Sequence, residues 1–140
     1  MLKRVVTSAA IVCLAVFALS GCGSSSSPTT PSPYTQSVGG TVSAFGTTRH
    51  ALTIPQSGSM SLTLTWSDTT IDLDLYLAAS SCQQLYPMSG CQIILASNSA
   101  QGTVRENVSR SVVSGETYSI FVDNLNLSKA TSYTLDIRIQ

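Results

Sequence analysis

Asp72 and Asp74 stand two residues apart in the run Ile71-Asp-Leu-Asp-Leu-Tyr-Leu77. In an extended strand that spacing turns both carboxylates to one side. Such a pair could supply hard oxygen ligands to calcium, which takes about 6–8 oxygens, and Asp68, Asn98, Glu106 and Asp123 are available to add to it. The other reading is two solvated outward carboxylates that keep the strand soluble and in register. Catalysis has less to work with. Nucleophilic mechanisms need a Ser or Cys beside an oriented base, and His50 is the single imidazole. No Gly-x-Ser-x-Gly elbow, phosphate-cradling glycine loop or pair of metal-binding histidines occurs. Two carboxylates on one strand also sit too close to flank a glycosidic bond. The expectation is a protein with no catalytic residues and, calcium apart, no cofactor.

The cysteines carry a second chemistry. Cys22 closes Leu19-Ser20-Gly21-Cys22, after a basic start at Lys3 and Arg4 and an uncharged stretch over residues 5–19. Basic, apolar and small residues in that order mark an export signal, and the closing motif resembles the lipobox of bacterial lipoproteins. The resemblance implies diacylglycerol on the Cys22 thiol, cleavage before Cys22 and acylation of the new amine. An uncleaved anchor needs about 20 apolar residues for a core of about 30 Å. The run here has about 15, roughly 22 Å as a helix. Two or more acyl chains hold a protein at a membrane stably, so the membrane is an expected partner through the N-terminal lipid. Cys13 leaves with the signal, which leaves Cys82 and Cys91 as an even pair in an oxidising compartment, read as a disulfide. A two-cysteine metal site lacks further ligands nearby. Gly23, where an aspartate would stand in inner-membrane sorting, suggests the outer membrane in a Gram-negative envelope.

Removing residues 1–21 leaves 119 residues, one domain and a tail. Five basic residues then face seven acidic ones, a net charge of −2, since Lys3 and Arg4 account for two of the original seven. Without a basic run, nucleic acid is not an expected partner. Residues 23–36 hold three prolines and four consecutive serines, a composition that cannot bury enough surface to order itself. The expected division is a signal peptide over 1–21, a lipidated cysteine and flexible linker over 22–37, and a folded domain over 38–140.

From Val38 onward the apolar residues recur every second position. Leu62, Leu64 and Trp66 alternate with polar residues, as do Ile71 to Leu77, Tyr118 to Val122, and Tyr133 to Ile139. Less regular strands are expected over 40–45, 49–54, 92–97 and 103–113. Turn chemistry separates them at Pro55-Gln56-Ser57-Gly58, Ser67-Asp68-Thr69-Thr70, Ser89-Gly90, Ser114-Gly115-Glu116 and Asp123-Asn124. About eight short antiparallel strands, each with one apolar face, read as an all-β sandwich, with a closed barrel as the alternative. An outer-membrane barrel would need an outward apolar belt where this chain has Ser, Thr and Asp. Trp66 shares its parity with core leucines. Tyr76 and Phe121 fall on the outward parity and are candidates for a binding platform. Tyr86 lies between Cys82 and Cys91 beside Leu85 and Met88. That loop either presents a preorganised contact patch or folds onto the sandwich edge.

The order of Ala51 to Trp66, the Asp-Leu-Asp-Leu-Tyr-Leu run, Ser114-Gly-Glu-Thr-Tyr-Ser-Ile-Phe-Val-Asp123 and the closing Tyr133 to Ile139 resembles the bacterial pre-peptidase C-terminal domain. The resemblance spans roughly residues 38–139 and implies a jelly-roll-like sandwich. It also implies a non-catalytic accessory module that assists secretion, stability or binding to polymeric substrates. No peptidase domain is expected ahead of the module here, which puts a peptidase-processing role in doubt. The expected partners are an envelope protein or a polysaccharide, and the expected role is that of an envelope binding module. A carbohydrate-binding surface module and a structural envelope protein without a ligand are the alternatives.

Overall fold

The computed structural model describes residues 32–99 and 102–140. The signal segment over 1–21, Cys22 and most of the expected linker lie outside the described residues. Eight strands follow in order: β1 Tyr34–Val42, β2 Gly46–Thr53, β3 Gly58–Trp66, β4 Leu73–Ala79, β5 Ile93–Ser97, β6 Arg105–Val112, β7 Thr117–Asn124 and β8 Thr131–Ile139. Strand β1 pairs with β8, β2 with β7, β3 with β6 and β4 with β5, all antiparallel. Further ladders between β3 and β8 and between β4 and β7 complete two four-stranded sheets, β1-β8-β3-β6 and β2-β7-β4-β5. The first four strands thus meet the last four in reverse order, with successive pairs in opposite sheets, the nested pairing of a jelly roll. The expected all-β sandwich is the observed fold, and two separate sheets exclude the closed barrel.

The alternating leucines explain why the sheets face each other. Leu62 and Leu64 of β3, Leu75 and Leu77 of β4, Ile120 of β7 and Leu135 of β8 have no exposed surface and belong to one core. Trp66 joins them, its Nε1–H donating to the Ile71 carbonyl at 3.0 Å. In β3 and β8 buried and exposed residues alternate, so one face meets the core and the other meets water. In β4 and β7 nearly every residue is buried. Both faces of those two central strands are covered, and the second cover creates the candidate site.

Strand β1 starts at Tyr34, inside the segment expected to be linker. Tyr34 pairs with Ile139 and Ser37 with Asp136, so residues 34–37 belong to the sheet. Ladder hydrogen bonds come from backbone, and β8 captures a stretch whose side chains carry no strand pattern. His50 of β2 shares a 2.7 Å hydrogen bond with the Tyr133 hydroxyl of β8, joining the two sheets. The imidazole is committed to this contact, and burial lowers its pKa. Gly40 leaves room for the Tyr133 ring, since a Cβ there would lie 2.6 Å from the hydroxyl.

Candidate functional site

The second cover is the loop between β4 and β5. A Cys82–Cys91 disulfide closes it, as expected, with its ends nine residues apart in sequence. The loop folds across the outer face of the β2-β7-β4-β5 sheet, where Cys82 and Leu85 pack with Tyr76, Ala78 and Phe121 in a second small core. Polar contacts dock it: the Ser119 hydroxyl donates to the Cys82 carbonyl at 2.8 Å, and Arg49 Nε–H donates to Ser119 Oγ at 2.9 Å.

This arrangement corrects the reading of Tyr76 and Phe121 as an exposed platform. Both point away from the main core, as their parity requires, but both are buried beneath the loop. Strand parity says which face a side chain leaves by and is blind to a loop that later covers that face. The loop itself divides in two. Leu85 is buried and anchors it, while Tyr86 and Met88 stay exposed.

Asp74 shares this covered face and lies directly across the ladder from Asp123. At 4% exposure it is not a solvated outward carboxylate. Its Oδ2 accepts a 2.9 Å hydrogen bond from the Tyr76 hydroxyl. Burial raises its pKa to about 6; the Tyr76 hydrogen bond opposes the rise, and the like charges of Asp72, Asp123 and Glu106 add to it. Burial and the Glu106 charge also raise Asp72, whose Oδ1 is buried without a hydrogen-bond partner. Glu106 is spent on Ser97 Oγ and the Ser99 N–H. Among the described residues, no group of three or more carboxylates, imidazoles or thiols is arranged to hold a metal ion. Asp72 and Asp74 are neighbours, but the fold gives them a repulsive, partly dry setting without a converging ligand set.

Beyond the acidic end of this face the surface opens into a pocket of about 400 Å³ lined by Phe45, Thr47, Tyr86, Asp123 and Leu125. Asp123 is 2% exposed. Its Oδ1 accepts from the Thr47 hydroxyl at 2.7 Å and its Oδ2 from the Tyr86 hydroxyl at 2.6 Å. Burial and that bond push the Tyr86 phenol up to about 12, so it stays a donor. The exposed ring of Tyr86 is therefore fixed at its far end by a buried acceptor.

Phe45 also lines the pocket. It is 71% exposed and its backbone φ is 46°, the left-handed region that bulky residues rarely occupy. An exposed aromatic in a disfavoured conformation contributes little to folding, and such strain gathers at functional positions. The Phe45 N–H donates to the Asn126 carbonyl at 2.7 Å, tying the β1–β2 turn to the β7–β8 loop. Asn124, fully buried, clasps both segments, its Nδ2 donating to the Ser43 and Lys129 carbonyls at 3.0 and 2.8 Å. Leu125 and Leu127 project from that loop as further exposed apolar residues.

Sequence reasoning singled out Tyr86 and Met88 but missed Phe45, Leu125 and Leu127, and it took Asp123-Asn124 for a turn. Those two residues end β7. The strand expected over 40–45 would end on Phe45, but β1 ends at Val42 and Phe45 falls in the turn before β2.

No family model matches this chain, and no curated protein matches it. Solved structures do share its fold. Aeromonas hydrophila PliG, a periplasmic lysozyme inhibitor of g-type lysozyme, is similar with a TM-score of 0.55 at 14% identity, over 76% of this chain and 86% of that one. The Yersinia pseudotuberculosis-derived mitogen gives a TM-score of 0.55 at 15% identity, over 77% and 87%. The pre-peptidase C-terminal domain of a Bacillus anthracis collagenase gives 0.54 at 10% identity, over 73% and 87%. At these identities the likeness is one of fold. The chain is a jelly-roll sandwich of the architecture that a pre-peptidase C-terminal domain also has.

Proposed function

We propose that this protein is a non-catalytic binding module of the bacterial cell envelope, held at a membrane by lipid on Cys22, with a protein as its partner. The contact surface is the rim formed by Phe45, Tyr86 and Leu125. The observation that carries this reading is the exposure of large apolar side chains around one pocket, two of them aromatic and one conformationally strained. Fixed aromatic side chains at the edge of a desolvated pocket are the usual anchors of protein interfaces. Support also comes from the setting: the export-type N-terminus, the disulfide, and a fold shared with a periplasmic lysozyme inhibitor and a collagenase domain.

Two measurements test it. Mass spectrometry of the protein purified from membranes should find residues 1–21 removed and acyl chains on Cys22, and Cys22→Ser should abolish both. Cross-linking in envelope extract should capture a protein with the wild type and lose it with Tyr86→Ala and Phe45→Asn variants that keep their β-sheet circular-dichroism spectra. Capture indifferent to both variants would overturn the assigned surface. Saccharide binding on a glycan array without protein capture would favour a carbohydrate module instead.

A further inference from the structure

We infer that the pocket between Phe45 and Tyr86 receives a basic side chain, lysine or arginine, from the partner protein. This rests on the reading above that the partner is a protein, and it names the chemistry by which that partner is read.

The pocket floor is the Asp123 carboxylate. It is buried, and the hydroxyls of Thr47 and Tyr86 donate to its two oxygens, whereas an ionised carboxylate offers about four acceptor positions. Among the described residues no cation lies within ion-pair distance of it, and the one ion pair joins Lys129 to Asp68 on another loop. Arg49 is the basic residue on the same sheet face, and its Nε–H is turned to Ser119 Oγ and the Cys82 carbonyl. Asp74 stands opposite Asp123 in the ladder and adds negative charge behind it. A buried carboxylate without a counter-charge is an unfavourable arrangement that an incoming cation relieves.

The walls decide what kind of cation. A hard metal ion takes about six or more oxygens, and this pocket offers one carboxylate and two hydroxyls, those of Thr47 and Tyr86, among two aromatic rings and a leucine. An organic cation fits that lining. Its charge meets Asp123, its flanks meet the faces of Phe45 and Tyr86 by cation–π attraction, and its methylene stem meets Leu125. The Tyr86–Asp123 hydrogen bond and the Asn124 clasp hold both walls before binding, which lowers the ordering cost of association. A neutral sugar would stack on the same rings and leave the carboxylate charge unanswered.

The test uses the full-length chain in detergent, with amide resonances followed by NMR as N-acetyl-arginine amide or N-acetyl-lysine amide is added. The neutral citrulline and norleucine counterparts serve as controls. The expected result is shifts confined to the Phe45, Tyr86 and Leu125 region, with a dissociation constant on the order of 1–10 mM for so small a probe. The neutral controls should bind at least about tenfold more weakly, and Asp123→Asn should bring the cationic probes down to that level, because charge pairing in a desolvated site is what separates them. Phe45→Asn, which leaves the carboxylate in place, provides a second variant should Asp123→Asn fail to fold, and it should weaken the cationic probes severalfold. Equal binding of charged and neutral probes would overturn the inference, as would no response at all, or self-association of the chain through this pocket. Partner capture that depends on Phe45 and Tyr86 but ignores Asp123→Asn would remove this inference and leave the proposed function standing. Cationic probe binding with no protein partner would overturn the proposed function and, with it, the assignment of the cation to a protein side chain.

Discussion

Replacing Asp74 by Asn should change how stability depends on pH, in a direction that the fold dictates. The folded protein holds this carboxyl near pKa 6 against an ordinary 3.8, chiefly by burial. Between those values the folded chain keeps a proton that the unfolded chain has released. Stability supplied by the neutral acid is therefore fully present below about pH 4 and is lost as pH rises through about 6. The gap from 3.8 to about 6, at about 1.4 kcal/mol for each pH unit, caps the loss near 3 kcal/mol. Some water still reaches the acidic end of the face, and an asparagine amide carries its own burial cost, so we expect about 1–2 kcal/mol. The Tyr76 hydroxyl can donate to the asparagine oxygen as it does to Asp74. Urea denaturation at intervals from pH 4 to pH 7.5 should show wild-type stability falling across this window. The fall should be shallower in Asp74→Asn, which should be the more stable protein at neutral pH. Parallel profiles, or a variant weaker than wild type at pH 7, would refute the claim that burial and like charge strain this carboxylate.

Phe45→Asn should raise stability by about 1 kcal/mol in the same assay, since asparagine tolerates the left-handed region that Phe45 occupies, while partner binding weakens; a loss of stability would mean that the ring packs for folding. Replacing Cys82 and Cys91 together by Ser should cost roughly 2–3 kcal/mol in urea denaturation, the loop-closure term for a loop of this length, and should increase proteolytic cleavage near Tyr86. Gly40→Ala should destabilise by about 1–3 kcal/mol because its Cβ would meet the Tyr133 hydroxyl and displace it from His50; the change is checked by thermal melting alongside the loss of the His50–Tyr133 contact in NMR.

Much of the architecture was legible because alternation is a local property. Leu62, Leu64, Leu135 and Ile137 declare their inward face by spacing alone, and all four are buried in the shared core. The disulfide followed from counting cysteines. Where the pattern was weak the sequence misled: Tyr34 to Ser37 looked like linker, because an edge strand is recruited by its partner's backbone rather than by its own side chains. Tyr76 and Asp74 have the correct parity and the opposite of the expected environment: the closed loop that follows β4 folds back over Tyr76, and Asp74 is buried beside it. The sequence by itself thus determined which side chains turn inward, that the domain is all strand, and that residues 82 and 91 can be joined. Only the tertiary structure decided that the outer face of one sheet is covered, and that Phe45, Tyr86, Asp123 and Leu125 meet at one pocket. These residues come from three separate segments of the chain. Their meeting depends on the nested pairing of β2 with β7 and on the fold of the closed loop, long-range contacts that no local spacing encodes.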